Sequence, residues 1–199
     1  NKVVASKYND SIVSYIDIDI KGNALYKNRL MMLDIIANNN WKRPIYFSPG
    51  AFEDEDYLWM KNYLQLEGMV YKLVPIKTKV EKDTNPMDMG GLDADKMYSI
   101  VMKWDWGNSR GDIYHDPETR KNSISYRSVL SRLMDKLIVE GKLDKAKKVI
   151  ELSLTEMPVE KFGYYSMVEP FASGYYRVGE KAKAQQLLEK LIGKYKENL

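Results

Sequence analysis

Residues 29–47, RLMMLDIIANNNWKRPIYF, constrain the fold more than any other stretch. Leu30, Met31, Met32, Leu33, Ile35, Ile36 and Ala37 put apolar side chains almost all the way round a helix, and such a helix is expected to be covered on two sides. Asn38-Asn39-Asn40 can take the left-handed conformation that ends a helix. Pro44 biases Arg43 toward extended geometry, so Ile45 to Ser48 is expected as a short buried strand.

The flanking segments extend this pattern. From Val13 to Ile20 polar and β-branched residues alternate, with Tyr15, Asp17 and Asp19 on one face and Ile16, Ile18 and Ile20 on the other, which predicts a half-buried strand. Asn23 is placed to cap the helix that follows. Glu53 to Asp56 form an acidic cluster suited to the positive end of a helix dipole. They would open a helix through Tyr57, Leu58, Met60, Lys61 and Leu64, stopped by Gly68. Met69 to Ile76 reads as a third strand. Strand, helix, strand, helix, strand with short connections predicts parallel pairing with right-handed crossovers.

Residues 77–92 carry charges, Pro86 and a Gly90-Gly91 pair without an apolar period, which marks a long surface loop before a short helix from Asp93. From Ser125 onward the chain is helical. Leu130, Leu133, Met134, Leu137 and Ile138 form one stripe; Ala146, Val149, Ile150, Ser153 and Met157 form the next; Ala184, Leu187, Leu188, Leu191, Ile192 and Tyr195 form the cleanest. Ser166 and Glu169 have the spacing of a capping box. Gly141 to Ala146 align with Gly179 to Ala184 at an offset of 38, which looks like two tetratricopeptide-type repeats with an over-long period and an inserted Phe162-Gly163-Tyr164-Tyr165.

The expected fold class is therefore α/β plus α: a small, mostly parallel three-layer α/β unit followed by a helical tetratricopeptide-like repeat region. The expected boundaries are residues 1–104 for the α/β subdomain, 105–124 for a linker and 125–199 for the helical subdomain.

The absence of cysteine removes disulfides, thiolate metal sites and a cysteine nucleophile together. A formal charge of +3, with no basic arm on either side of residue 124, argues against nucleic acid as a partner. No run is long and apolar enough to span a membrane, and the N-terminus lacks the layout of a signal peptide. A start at Asn rather than Met is what an excised piece or processed product would show. No phosphate-binding glycine loop and no Gly-x-Ser-x-Gly elbow occurs, and the acidic stretches lack the order of a calcium loop. No cofactor and no metal site is expected.

His115, the single histidine, lies near Asp112 and Asp116, and a general-base or metal-ligand role competes with that of a solvated turn residue. Asp105 would complete such a site. Aromatic planes beside charged donors are how proteins hold sugars and phosphorylated head groups. Trp41, Lys42 and Arg43 form one such group; Trp104, Trp106, Arg110 and His115 form another. The competing reading is that the tryptophans plug the joint between the two halves. Tyr164, Tyr165 and Tyr176 are candidates for a partner-binding face on the helices.

Leu30-Met31-Met32-Leu33-Asp34, Asn38 to Phe47 and Tyr63 to Ile76, with Lys103-Trp104, Trp106-Gly107 and Glu140 to Ala146, resemble the C-terminal soluble region of a Bacteroidetes family of multi-spanning membrane proteins of unknown function. The membrane part of that family is similar to protein O-mannosyltransferases and other glycosyltransferases that use lipid-linked sugars. The resemblance runs from about Asp17 to the end; Ser48-Pro49-Gly50 and Phe162 to Tyr165 depart from it. In that membrane class the catalytic carboxylate belongs to an extracytoplasmic loop between transmembrane helices, so no catalytic residue carries over to this chain.

The resemblance implies a non-catalytic domain on the periplasmic side of the inner membrane. It would be attached to its own N-terminal transmembrane region and would support or present acceptor or lipid-linked sugar. The alternative is an envelope interaction module that binds a protein or acceptor peptide and no sugar. An enzyme built around His115, Asp112 and Asp105 is a third class.

Overall fold

The computed structural model describes residues 3–20, 22–48, 59–78 and 89–197. The chain divides into two compact units, Asn1–Asp93 and Ala94–Leu199.

Unit 1 contains helix α1 (Lys27–Asn38) and strands β1 (Tyr46–Phe47), β2 (Leu64–Glu67) and β3 (Val70–Leu73). The sheet order is β1-β3-β2 and both pairings are antiparallel, which overturns the mostly parallel three-layer expectation. The reason is the length of the connection. Glu67 pairs with Val70, so only Gly68 and Met69 join β2 to β3, whereas a parallel pair needs a crossover of about a dozen residues. Gly68 has φ +66°, the left-handed value that a two-residue hairpin loop calls for at its first position.

The other departures in this unit are local. Residues 61–63 form a 3-10 turn and Leu64 begins β2, where a helix was expected; Glu53 to Asp56, Tyr57 and Leu58 lie outside the described residues. Ser6–Ser11 is a 3-10 segment, and the expected strand from Val13 to Ile20 does not form. Ile12 alone bridges to Ile76, and Val13 N–H donates to Pro75 O at 2.9 Å. α1 begins four residues after Asn23, at an uncapped Tyr26 boundary, and buries none of its residues instead of being covered on two sides. The core of unit 1 is Met60, Tyr63, Leu64, Leu66, Tyr71, Leu73, Val74 and Met89, with Val3. On the sheet, Lys72 stands opposite both Tyr46 and Gln65. Lys72 Nζ lies 3.4 Å from Glu67 Oε1, and Tyr46 Oη donates to Glu67 Oε2 at 3.0 Å. Burial, then this carboxylate, pushes the Tyr46 phenol up to about 12.

Unit 2 is helical: α2 (Ala94–Val101), α3 (Pro117–Val139), α4 (Leu143–Glu156), α5 (Val159–Phe162), α6 (Glu169–Arg177) and α7 (Lys181–Glu197). Residues 117–124, expected in a linker, are the first turns of α3. α3 packs along α4, α6 packs along α7, and α6 also touches α3 and α4. Leu130, Leu133, Met134, Leu137, Ala146, Val149, Ile150, Phe171, Ala172, Ala184 and Leu191 fill the interior. Gly174 lets α6 approach, since a Cβ there would run into the Met134 sulfur.

The α3–α4 and α6–α7 turns are built alike, 38 residues apart. Lys142 N–H donates to Leu137 O and Glu180 N–H to Tyr175 O, each at 2.8 Å, and Gly141 and Gly179 both have positive φ. The Ser166–Glu169 capping box does not form; Val168 stands at the N-cap of α6 with no side-chain cap, and Glu169 accepts instead from Tyr195 Oη at 2.7 Å.

Candidate functional site

Asp116 fixes where α3 begins. Its Oδ1 accepts from Glu118 N–H at 2.9 Å and Thr119 N–H at 3.0 Å, Thr119 Oγ1 donates to its Oδ2 at 2.6 Å, and Pro117 occupies the first helical turn where no donor is needed. These bonds, the Thr119 hydroxyl first, hold the Asp116 carboxyl below its usual value.

Ahead of that cap the chain makes a tight turn at 106–109, with Gly107 at φ +54°, Asn108 at φ +64° and Ser109 N–H donating to Trp106 O at 2.9 Å. Four contacts strap this loop to the ends of α4 and α5. Ser109 Oγ donates to Glu156 O at 2.7 Å, Lys161 Nζ donates to the carbonyls of Arg110 and Gly111, and Arg110 Nη1 lies 3.7 Å from Glu156 Oε1. His115 Nε2 lies 2.7 Å from Ser109 O; a carbonyl only accepts, so this nitrogen carries the proton. The imidazole rests on Phe162, ring centres 4.5 Å apart.

Between the loop, α3 and α5 lies a cavity of about 360 Å³. Trp106, Ile113, Tyr114, Tyr126, Met157 and Phe162 supply its apolar wall; Asp105, Ser109, His115, Thr119, Asn122 and Ser123 supply its polar one. Trp104, Trp106 and Tyr126 pack edge to face or tilted, with ring centres 5.3 to 5.7 Å apart. The Trp106 indole N–H is buried and has no hydrogen-bond partner. The hydroxyls of Ser109, Thr119 and Ser123 all donate to groups of the chain itself, Glu156 O, Asp116 Oδ2 and Arg120 O. What they leave for an occupant is acceptor lone pairs.

Below the cavity Arg127 is fully buried. Its Nη1 donates to Gly163 O at 2.6 Å and its Nη2 to Met157 O at 2.9 Å, satisfying carbonyls at the end of α4 and the Gly163–Tyr164 turn. Burial draws its pKa down to about 10.

Of the residues singled out in the sequence, Trp106 and His115 line the cavity, and Trp104 supports it from behind. Arg110 is turned to Glu156 and is not part of the wall. Trp41, Lys42 and Arg43 belong to a turn of unit 1. Asp112 is fully exposed, 3.9 Å from Lys161 Nζ. Tyr164 takes a left-handed φ of +51°, Tyr165 packs edge-on against Tyr195, and Tyr176 is exposed. Thr119, Asn122, Ser123 and Tyr126 were not singled out. They recur at i, i+3, i+4 and i+7, and that helical spacing was the available signal.

Among the described residues no group of His, Asp and Glu could hold a metal ion, and no helix is long and apolar enough to cross a membrane. Residues 1–96 match the family model of TMEM260-associated domain 2, a family tied to a membrane protein. The cavity lies beyond the matched residues. No curated protein and no solved structure matches the chain, and no similarity to a glycosyltransferase is shown.

Proposed function

We propose that this chain, whose first 96 residues match a domain associated with a membrane protein, is a non-catalytic, ligand-holding part of such a protein on the extracytoplasmic side. Its unit 2 cavity would receive a neutral sugar unit, supporting or presenting lipid-linked sugar or acceptor to the membrane-embedded portion. One observation carries the reading: the Trp106 and Tyr126 rings line one cavity together with hydroxyls whose lone pairs remain free. A sugar offers hydroxyl donors to Ser109, Thr119 and Ser123 and an apolar ring face to the aromatic wall. A phosphate offers acceptors only, and the wall contains Asp105 and neither Lys nor Arg.

The test is an amide NMR titration of the labelled chain with mannose-containing oligosaccharides, polyprenyl-phosphate head-group mimics and acceptor peptides. Shifts at Trp106, Gly107, His115 and Tyr126 with neutral sugar, absent in Trp106→Phe, are the expected result. Silence with every sugar would overturn the reading. Shifts confined to Tyr164, Tyr165 and Tyr176 with peptide would favour the interaction module, which the exposure of the Tyr176 ring supports.

A further inference from the structure

A second surface, in unit 1, is independent of the cavity. The outer face of α1 presents Leu30, Met31 and Ile35 at 58%, 57% and 59% exposure, and Leu25 and Tyr26 lead into it, also exposed. Cations stand at both ends. Lys27 opens the helix; Lys42 and Arg43 follow its end; all three are exposed and form no ion pair among the described residues. Residues 22–48 hold Lys27, Arg29, Lys42 and Arg43 against Asp34, a surplus equal to the +3 of the whole chain. The rest of the molecule is balanced, so the charge excess falls in the segment that carries this face, with Arg29 turned onto the Tyr26 and Trp59 rings.

The turn that carries Lys42 and Arg43 is closed by hydrogen bonds. Asn40 and Trp41 take φ of +48° and +55°, Lys42 N–H donates to Asn39 O at 2.9 Å, and the Asn39 amide donates to Arg43 O at 2.7 Å. A bulky tryptophan in the left-handed region is an outlier that its surroundings must hold in place.

We propose that the outer face of α1 and the Asn39–Arg43 turn rest on an anionic phospholipid surface, with Leu30, Met31 and Ile35 entering the headgroup boundary and Lys27, Lys42 and Arg43 meeting lipid phosphates. At about 18 Å a twelve-residue helix is too short to cross a bilayer. Charge selects lipid over a second copy. Two such faces placed together would oppose like cations, and the one carboxylate among them, Asp34, accepts from Asn38 Nδ2 at 2.9 Å.

The experiment is flotation of the full chain with phosphatidylcholine vesicles, with and without about a third phosphatidylglycerol, at low and high salt. Binding to the anionic vesicles alone, lost at high salt, is expected. Lys42→Gln and Arg43→Gln should each weaken it about fivefold, roughly 1 kcal/mol per cation. Ile35→Ser should weaken it too, and Asp34→Asn should strengthen it, with thermal melts showing every variant folded. The proposal fails if neither vesicle binds, if both bind equally, or if the glutamine variants bind as the parent does. It fails also if light scattering finds a dimer that Ile35→Ser dissociates, since a second copy would then occupy the face.

Discussion

Helices α1 and α7 invert the usual relation between composition and burial. α1 contains Leu30, Met31, Met32, Leu33, Ile35 and Ile36 among its twelve residues and buries none of them. α7 carries Lys181, Lys183, Glu189, Lys190, Lys194, Lys196 and Glu197, yet buries Ala184, Leu187 and Leu191 against α6. Placement separates the two. In α7 the apolar residues fall on one stripe at i, i+3 and i+7 that a neighbouring helix covers; in α1 they are spread round the axis, and only Met32, Leu33 and Ile36 reach partial cover. Apolar content says how much surface must be dealt with; periodicity says whether a core or an interface deals with it.

If that contrast is right, damage should scale with the stripe. The largest effect is expected at Arg127. Arg127→Ala strips the donors from the carbonyls of Met157 and Gly163 in a dry site and should cost about 4 kcal/mol, read as a lower urea midpoint. Retention of the parent midpoint would mean that water reaches those carbonyls and that the unit 2 interior is looser than its packing implies.

Gly174→Val comes next. Its side chain would be driven into Met134 and Ile150 where α6 crosses α3, and overpacking of this kind should cost about 3 kcal/mol. Repair by Met134→Ala in the double variant would locate the clash and separate it from the loss of a helix glycine.

The same two units show what the sequence could disclose. In unit 2 the stripes from Leu130 to Leu191 predicted the helices, and the Gly141 and Gly179 turns were readable because a helix end and a glycine coincided. Unit 1 was misread at Gly68, and for a physical reason. A glycine with positive φ serves a helix C-terminus and a two-residue hairpin loop equally well, so Leu64-Gln65-Leu66-Glu67 before it could be assigned to either. The error then propagated: with Leu64–Glu67 taken as helix, Met69 to Ile76 had no antiparallel neighbour and a parallel sheet followed. Val13 to Ile20 showed strand periodicity, but no ladder was available to pair it beyond Ile12. At the cavity, Trp106 and His115 were visible as chemistry. The wall from Thr119 to Tyr126 was hidden because its residue types are ordinary on a solvated helix and acquire meaning only opposite the 105–115 loop.

A smaller, pH-dependent effect belongs to Asp95, whose carboxylate accepts from Lys142 Nζ at 2.6 Å and Lys145 Nζ at 2.7 Å. These bonds lower its pKa from 3.8 to about 2. The folded state therefore favours the ionised form. Its contribution is complete above about pH 4, is lost as pH falls toward 2, and is absent below that. Because the group lies at the surface the size is modest. Asp95→Asn should reduce the urea midpoint at pH 5 and converge with the parent near pH 2; a constant gap between the two would remove the ion pairs as its cause.

The smallest effect is expected where the apolar content is highest. Leu30→Ser and Ile35→Ser delete large side chains that stand more than half exposed, so neither leaves a cavity and each should change stability by less than about 0.5 kcal/mol. The same substitution at Leu187, 8% exposed on α7, should behave as a core truncation. A loss at Ile35 as large as that at Leu187 would mean that α1 is packed in solution and would dissolve the contrast between the helices. A near-silent change would leave a surface of Leu30, Met31 and Ile35 that contributes little to folding. Its composition then has to be explained by what it touches.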